Sequence, residues 1–369
     1  LVAMALFLFL VAAIVAARFV ANIPTIRLVS TGSAPELTLT HGLTWHLFNS
    51  HIWVSGQDAV AVIKNELQQL LPGIRVFLDV DDLKNIGALE QYISRSQVIL
   101  FFLSQGYFGS KNCLREICVS LNQKKPLILV QEADPNKGGT LKALRSECPE
   151  KLQVAIFDQE WPLTTWHRIE EFQLVSLKVI AEGLLLCSPA YMVETKRTSL
   201  PLYVPGELRC QTLAFSKPVL LWASSANVGA KKLADGLAAT FAGLTVIDAD
   251  DEESGQATHM LLYLNEATWS DKRLVAQVQK ARADKLPVVM AHENDLDRGG
   301  CPFSRFFATT PEELLSSNLY RDLAIACFSG AHHEVSLALL AKKLGASPAK
   351  ARGCCLSLGS SMRAKPVPR

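Results

Sequence analysis

An internal repeat constrains this chain more than any single motif does. The run Pro126–Gly139 (PLILVQEADPNKGG) returns as Pro287–Gly300 (PVVMAHENDLDRGG), 161 residues later. At the same offset Leu103 falls on Leu264, closing two apolar runs, Val98–Leu103 and His259–Leu264, with no gap between the landmarks. Further on, Val175-Ser-Leu with Ala181 recurs as Val335-Ser-Leu with Ala341, at an offset of 160. Register kept over this length marks a duplicated structural unit. At 369 residues and 49% apolar content the chain is long enough for each copy to bury its own core.

Within the first copy, short apolar runs suited to buried parallel strands alternate with amphipathic stretches suited to helices, the pattern of a doubly wound α/β sheet. Strands are expected at Leu47–Trp53, Arg75–Val80, Gln97–Leu103, Leu127–Val130 and Leu152–Phe157. Helices are expected at Asp58–Leu71, Gly87–Arg95, Cys113–Gln123 and from about Trp166 to Leu186. In such a sheet the functional loops follow the strand carboxyl ends, here Ser55–Gln57, Asp79–Gly87, Ser104–Asn112 and Gln131–Gly139. The second copy is shorter: Gly56 to Leu103 spans 47 positions, whereas its counterpart Gly229 to Leu264 spans 35. The loss falls between the second and third strands, where Asp250–Gly255 runs almost directly into Thr258–Leu264, so this copy is expected to lack the second helix. Between the copies, 188–216 carries Pro189, Pro201, Pro205 and Gly206 with little periodicity and reads as a linker. The organisation expected is therefore 1–23, a membrane helix; 24–43, a juxtamembrane segment; 44–187, the first unit; 188–216, the linker; 217–347, a degenerate second unit; and 348–369, a disordered tail.

The membrane expectation rests on Leu1–Ala17, which carries no charged or strongly polar side chain and, with Phe19, Val20 and Ile23, nearly reaches the roughly 20 residues of a spanning helix. Its rivals are a signal peptide, which should open with a charged region, and a buried helix. Leu1 is not methionine, which points to further sequence upstream. Arg18 and Arg27 place the remainder in the cytosol by the positive-inside rule. Nine cysteines, odd in number, scattered and never in a C-x-x-C pair, argue against a disulfide scaffold or a zinc site and for a reducing compartment. His332-His333-Glu334 lacks metal-ligand spacing and reads as a solvated helix start, so no metal is expected. With 37 lysines and arginines against 35 acidic residues, and no basic stripe interleaved with aromatics, nucleic acid is not an expected partner. The tail gathers Lys350, Arg352, Arg363, Lys365 and Arg369, and Cys354-Cys355 beside that charge would suit palmitoylation.

Two segments carry a family resemblance. Phe77-Leu-Asp-Val-Asp-Asp-Leu83 with Ile86-Gly87, followed by Leu103-Ser-Gln-Gly-Tyr-Phe-Gly-Ser-Lys-Asn-Cys-Leu-Arg-Glu-Ile117, resembles the Toll/interleukin receptor (TIR) domain over roughly Leu43–Cys187. The first segment is similar to that family's second strand and its following loop, the second to the start of its third helix. The second copy would be a diverged, truncated TIR-like unit. The resemblance implies a flavodoxin-like five-stranded fold and TIR–TIR or self-association through the loop residues Asp79, Asp81, Asp82, Leu83, Ile86 and Gly87. In many members it also implies cleavage of the nicotinamide–ribose bond of NAD, which is a substrate and not a cofactor, with an essential acidic residue that falls here on Glu116.

The chemistry explains such a residue. Breaking a glycosidic bond to a cationic leaving group builds oxocarbenium character, which an ionised carboxylate near the ribose stabilises. Unaided by the resemblance, Glu116 reads rather as a carboxylate in the first turns of a capped helix, favoured by the helix dipole and solvent. His51, Trp53, Ser55, Gly56 and Tyr107 are the substrate-binding candidates. Yet the loop after the first strand lacks the basic residues that enzymatic relatives often carry there, and Asp79, Asp81 and Asp82 suit a basic partner surface. At the repeat offset Glu116 falls on Gln277, an amide of nearly equal shape, so the second unit is expected to be inert. Three functions stay open: a membrane-anchored TIR signalling protein that hydrolyses NAD in its first unit, a non-enzymatic TIR adaptor, and a nucleotide-binding relative without NAD hydrolysis.

Overall fold

A computed structural model describes residues 24–78, 89–192, 199–247 and 256–349, with Met4 and Val11. Its contacts divide the chain into two compact units: residues up to Leu208 with Gly330–His332, and residues from Arg209 to Ser329 with those from His333 onward.

The first unit is built from β1 (Arg27–Leu28), β2 (Trp45–Ser50), α1 (Trp53–Leu70), β3 (Val76–Phe77), α2 (Leu89–Ser94), β4 (Ser96–Leu103), α3 (Lys111–Asn122), β5 (Leu127–Glu132), α4 (Leu141–Glu147), α5 (Glu150–Phe157), β6 (Leu163–Trp166), α6 (Glu170–Leu186), α7 (Pro189–Met192) and β7 (Leu202–Tyr203). Its main sheet is parallel in the order β3-β2-β4-β5-β6. All eight residues of β4 are buried because helices cover both faces, which is why that strand is a continuous apolar run and not an alternating one. The pleat sends Val98, Leu100 and Phe102 into one core, with Val60 and Ile63 of α1 and Ile180 and Leu184 of α6. Ile99, Phe101 and Leu103 enter the other, with Ile117 of α3 and Ile156 of α5.

The second unit runs β8 (Leu213–Ala214), β9 (Val219–Trp222), α8 (Ala230–Thr240), β10 (Leu244–Ile247), β11 (His259–Leu264), α9 (Lys272–Ala283), β12 (Val288–Glu293), α10 (Ser304–Thr309), α11 (Glu312–Ser316), β13 (Ile325–Cys327), α12 (His333–Lys343) and β14 (Ser347–Pro348). Its main sheet has the same order, β10-β9-β11-β12-β13, and is also parallel. Both units are thus doubly wound α/β folds, and the repeat offset of 161 carries α3 onto α9 and β5 onto β12 end to end. Among the described residues no α-helix lies between β10 and β11, where the first unit has α2.

Four expectations are corrected. Leu152–Phe157 is not the fifth strand but lies in α5, which buries Leu152 and Ile156 one turn apart and leaves Val154 exposed; the fifth strand is Leu163–Trp166. Trp53 opens α1 instead of ending β2, so Ser55 and Gly56 are helical. The stretch 188–216 is not a bare linker: β7 pairs with β1, Leu200 and Val204 join the first core, and β8 pairs with β14. His332 is buried and not solvated, since its ring packs against His167 and Phe172 and its Nε2 lies 3.1 Å from Ser176 Oγ. No described helix is long and apolar enough to cross a membrane; the span expected at 1–23 lies outside the described residues, Met4 and Val11 excepted. The tail from Lys350 onward, with Cys354 and Cys355, also lies outside them.

Candidate functional site

In each sheet the strand order reverses beside the first strand, between β2 and β4 and between β9 and β11, and the crevice at the carboxyl ends of that strand pair is where such folds bind ligands. Ser50 is the last residue of β2, on the pleat side of Phe48, and Phe48 belongs to the core that α3 covers. The helix α3 begins at Lys111, where the Ser110 hydroxyl accepts the Cys113 amide at 3.3 Å and so fixes the start of the first turn. Six residues in, half-buried Glu116 turns toward the strand end, and its Oε2 accepts a hydrogen bond from Ser50 Oγ at 2.5 Å.

Tyr107 completes the group from the 3₁₀ turn Tyr107–Gly109 after β4, with Oη 2.6 Å from Ser50 Oγ. Burial drives its phenol well above the usual value, and neighbouring Cys113 and Glu116 push the same way, so it is a neutral donor. Ser50 gives its one proton to the carboxylate, which leaves its oxygen to accept from the tyrosine. The order is therefore Tyr107 to Ser50 to Glu116. Arg115, next to Glu116 in sequence, points elsewhere and pairs with Glu90 of α2 at 2.5 Å.

The remaining candidates form a second group at the same strand end. Ser55 donates to the Gln105 carbonyl at 3.0 Å and sits 2.8 Å from Ser104 Oγ, tying the first turn of α1 to the loop after β4. Gly56 lets that turn approach closely, because a Cβ there would lie 3.1 Å from the Phe102 ring and 3.2 Å from His51 Cβ. His51 is buried, and its carbonyl accepts from Cys113 Sγ at 3.4 Å. Trp53 is 60% exposed, whereas Tyr107 is 0% exposed and packs edge-on against Phe108, so it enters the site through its hydroxyl and not by stacking. The six loop residues, Asp79, Asp81, Asp82, Leu83, Ile86 and Gly87, lie outside the described residues. Ser50 has no signature in the sequence: a small hydroxyl at a strand end, 66 residues before its partner, carries no local signal.

The second unit holds the same arrangement with its charge removed. Strand register places Ser224 where Ser50 stands, and Ser224 Oγ donates to Gln277 Oε1 at 2.5 Å. The tyrosine position is Thr268, whose hydroxyl is taken locally by Tyr263 and Asn265, and the Ala226 amide donates to Ser224 instead. A groove of ≈ 520 Å³ opens at this strand end, lined by Ser224, Ser225, Asn227, Gly229, Lys231 and Lys232 among others.

No family model and no curated protein matches the chain. Among solved structures, the TIR domain of the Toll-related receptor TRR-2 from Hydra magnipapillata aligns at 16% identity over 24% of this chain and 70% of that one, with a TM-score of 0.21. A metazoan TIR-STING receptor from C. gigas in complex with 2',3'-cGAMP aligns at 17% identity over 41% of this chain and 42% of that one, with a TM-score of 0.30. The TIR domains of the activated Roq1 resistosome align at 23% identity over 39% of this chain and 83% of those domains, with a TM-score of 0.22. These alignments are partial and loose.

Proposed function

We propose that this chain is a TIR-type signalling protein that acts by assembly and whose first unit cleaves the nicotinamide–ribose bond of NAD, with Glu116 as the essential carboxylate and the second unit inactive. The observation that carries the reading is the 2.5 Å bond from Ser50 to Glu116, which turns the half-buried carboxylate toward the carboxyl end of β2. There it would face a developing oxocarbenium ion at C1′ of the ribose. In the proposed hydrolysis the C1′–N bond breaks, its electron pair leaves with neutral nicotinamide, water forms the new C1′–O bond, and one proton is released.

Incubation of the full chain with NAD, with free nicotinamide followed at rising protein concentration, tests the reading. Release that grows faster than protein concentration and vanishes in Glu116→Gln is expected. Activity surviving that substitution rejects the mechanism. A second reading, a non-enzymatic adaptor, is favoured by the apolar pair at the start of α1, Trp53 at 60% and Val54 at 92% exposure, which suits a protein surface. No nicotinamide from concentrated protein that still self-associates would select it. Anchoring through residues 1–23 is a separate proposal resting on their composition alone, tested by whether alkaline carbonate strips the full chain from membranes.

A further inference from the structure

We infer that Ser50 and Tyr107 are positioning residues that hold the Glu116 carboxylate in its working orientation through one buried chain of donors. The inference rests on the role proposed for Glu116. Ser50 is 1% exposed and Tyr107 is 0% exposed, so neither hydroxyl competes with bulk water for its partner. The tyrosine hydroxyl sits at 2.6 Å from the serine oxygen and the serine at 2.5 Å from Glu116 Oε2, so each group has one direction in which to give its proton.

The second unit separates this role from mere packing. It keeps the serine-to-side-chain bond with an uncharged acceptor, Gln277, and has lost the tyrosine, because Thr268 spends its hydroxyl on Asn265 and Tyr263. The serine serves both units, so it is the tyrosine behind it that distinguishes them. A phenol held neutral behind it is retained only where the acceptor is a carboxylate.

The test uses the full chain with three substitutions, Ser50→Ala, Ser50→Thr and Tyr107→Phe, and two readouts. In nicotinamide release, Ser50→Ala is expected to lower kcat about 10- to 100-fold with KM changed less than about twofold, the scale of one lost hydrogen bond to a charged group. Tyr107→Phe should lower kcat about 3- to 10-fold, and Ser50→Thr, which keeps the hydroxyl, should restore most of the rate. The second readout is the side-chain carboxyl resonance of Glu116 in ¹³C-glutamate-labelled protein, identified by its loss in Glu116→Gln and expected to move in Ser50→Ala and Tyr107→Phe but little in Ser50→Thr. An unmoved resonance in Ser50→Ala overturns the inference whether or not NAD is cleaved. A moved resonance with no cleavage in the parent chain leaves the donor chain standing and overturns the proposed function alone. Should Ser50→Ala fail to fold, Tyr107→Phe decides by the same resonance.

Discussion

The two units make the same fold and the same serine contact, yet only one presents a charge. Ser50 meets Glu116 and Ser224 meets Gln277 at an identical 2.5 Å, so geometry was retained while the chemistry of the acceptor changed. A second pair shows the reverse, a retained charge with an exchanged partner. Glu132 and Glu293, 161 apart, are both buried at the ends of β5 and β12, and each accepts the amide of the aspartate two residues on at 2.9 Å. Glu132 is neutralised by Arg168, which follows β6, whereas Glu293 is neutralised by Arg298 in its own loop and also accepts from the Tyr263 hydroxyl. The positions matching these arginines are Ser329 and Lys137. Ser329 bonds Asp295, and Lys137 lies 3.8 Å from Asp58. A buried carboxylate in this fold requires a cation, but the fold offers two places from which to supply it.

The comparison breaks most visibly at the site. Glu116→Gln makes the first unit's pair match the second's, and nicotinamide release should fall more than about 100-fold with the urea midpoint unchanged; a fall under tenfold would dissolve the distinction between the units. Arg168→Ala strips Glu132 of its ion pair and should cost about 3 kcal/mol in urea unfolding, whereas Arg298→Ala should cost about 1 kcal/mol because Tyr263 and the Asp295 amide still hold Glu293. Equal losses would show that the two compensations are not alternatives. Gln277→Glu restores the charge in the second unit, where that side chain is buried, and should lower stability by about 2 kcal/mol without producing nicotinamide release, since the matching tyrosine is Thr268.

A further prediction is a pH dependence carried by His46, which has no counterpart in β9. His46 accepts the Arg75 amide on Nδ1 at 3.0 Å, and burial, then the Arg75 charge, lowers its pKa from 6.5 to about 4. Between those values the unfolded chain binds a proton that the folded chain refuses. The stability owed to neutral His46 is therefore complete above pH 6.5 and lost as pH falls toward 4. Amide exchange should report it in β2 and β3 and not in β9 and β10, where register puts Leu220 in place of His46. Equal sensitivity of the β9–β10 pair would contradict it.

Periodicity and the repeat determined a good deal unaided. Two parallel α/β units and the correspondence of Glu116 with Gln277 were legible, because burial on both faces of a strand and register along a duplicated chain are written directly in residue order. Helix starts were less so: α1 begins five residues before the expected Asp58 since Ile52 stands at its cap without a side-chain bond, leaving no polar signal to read. The six residues Leu152–Phe157 suited either element, and the polar Thr164-Thr165 hid the true fifth strand. Tertiary structure alone decided which way Glu116 faces, that Ser50 and Tyr107 stand behind it, and which arginine meets each buried glutamate. Those contacts join residues 36 to 66 apart wherever they cross elements, and a hydrogen bond depends on where folding brings two atoms, not on their spacing along the chain.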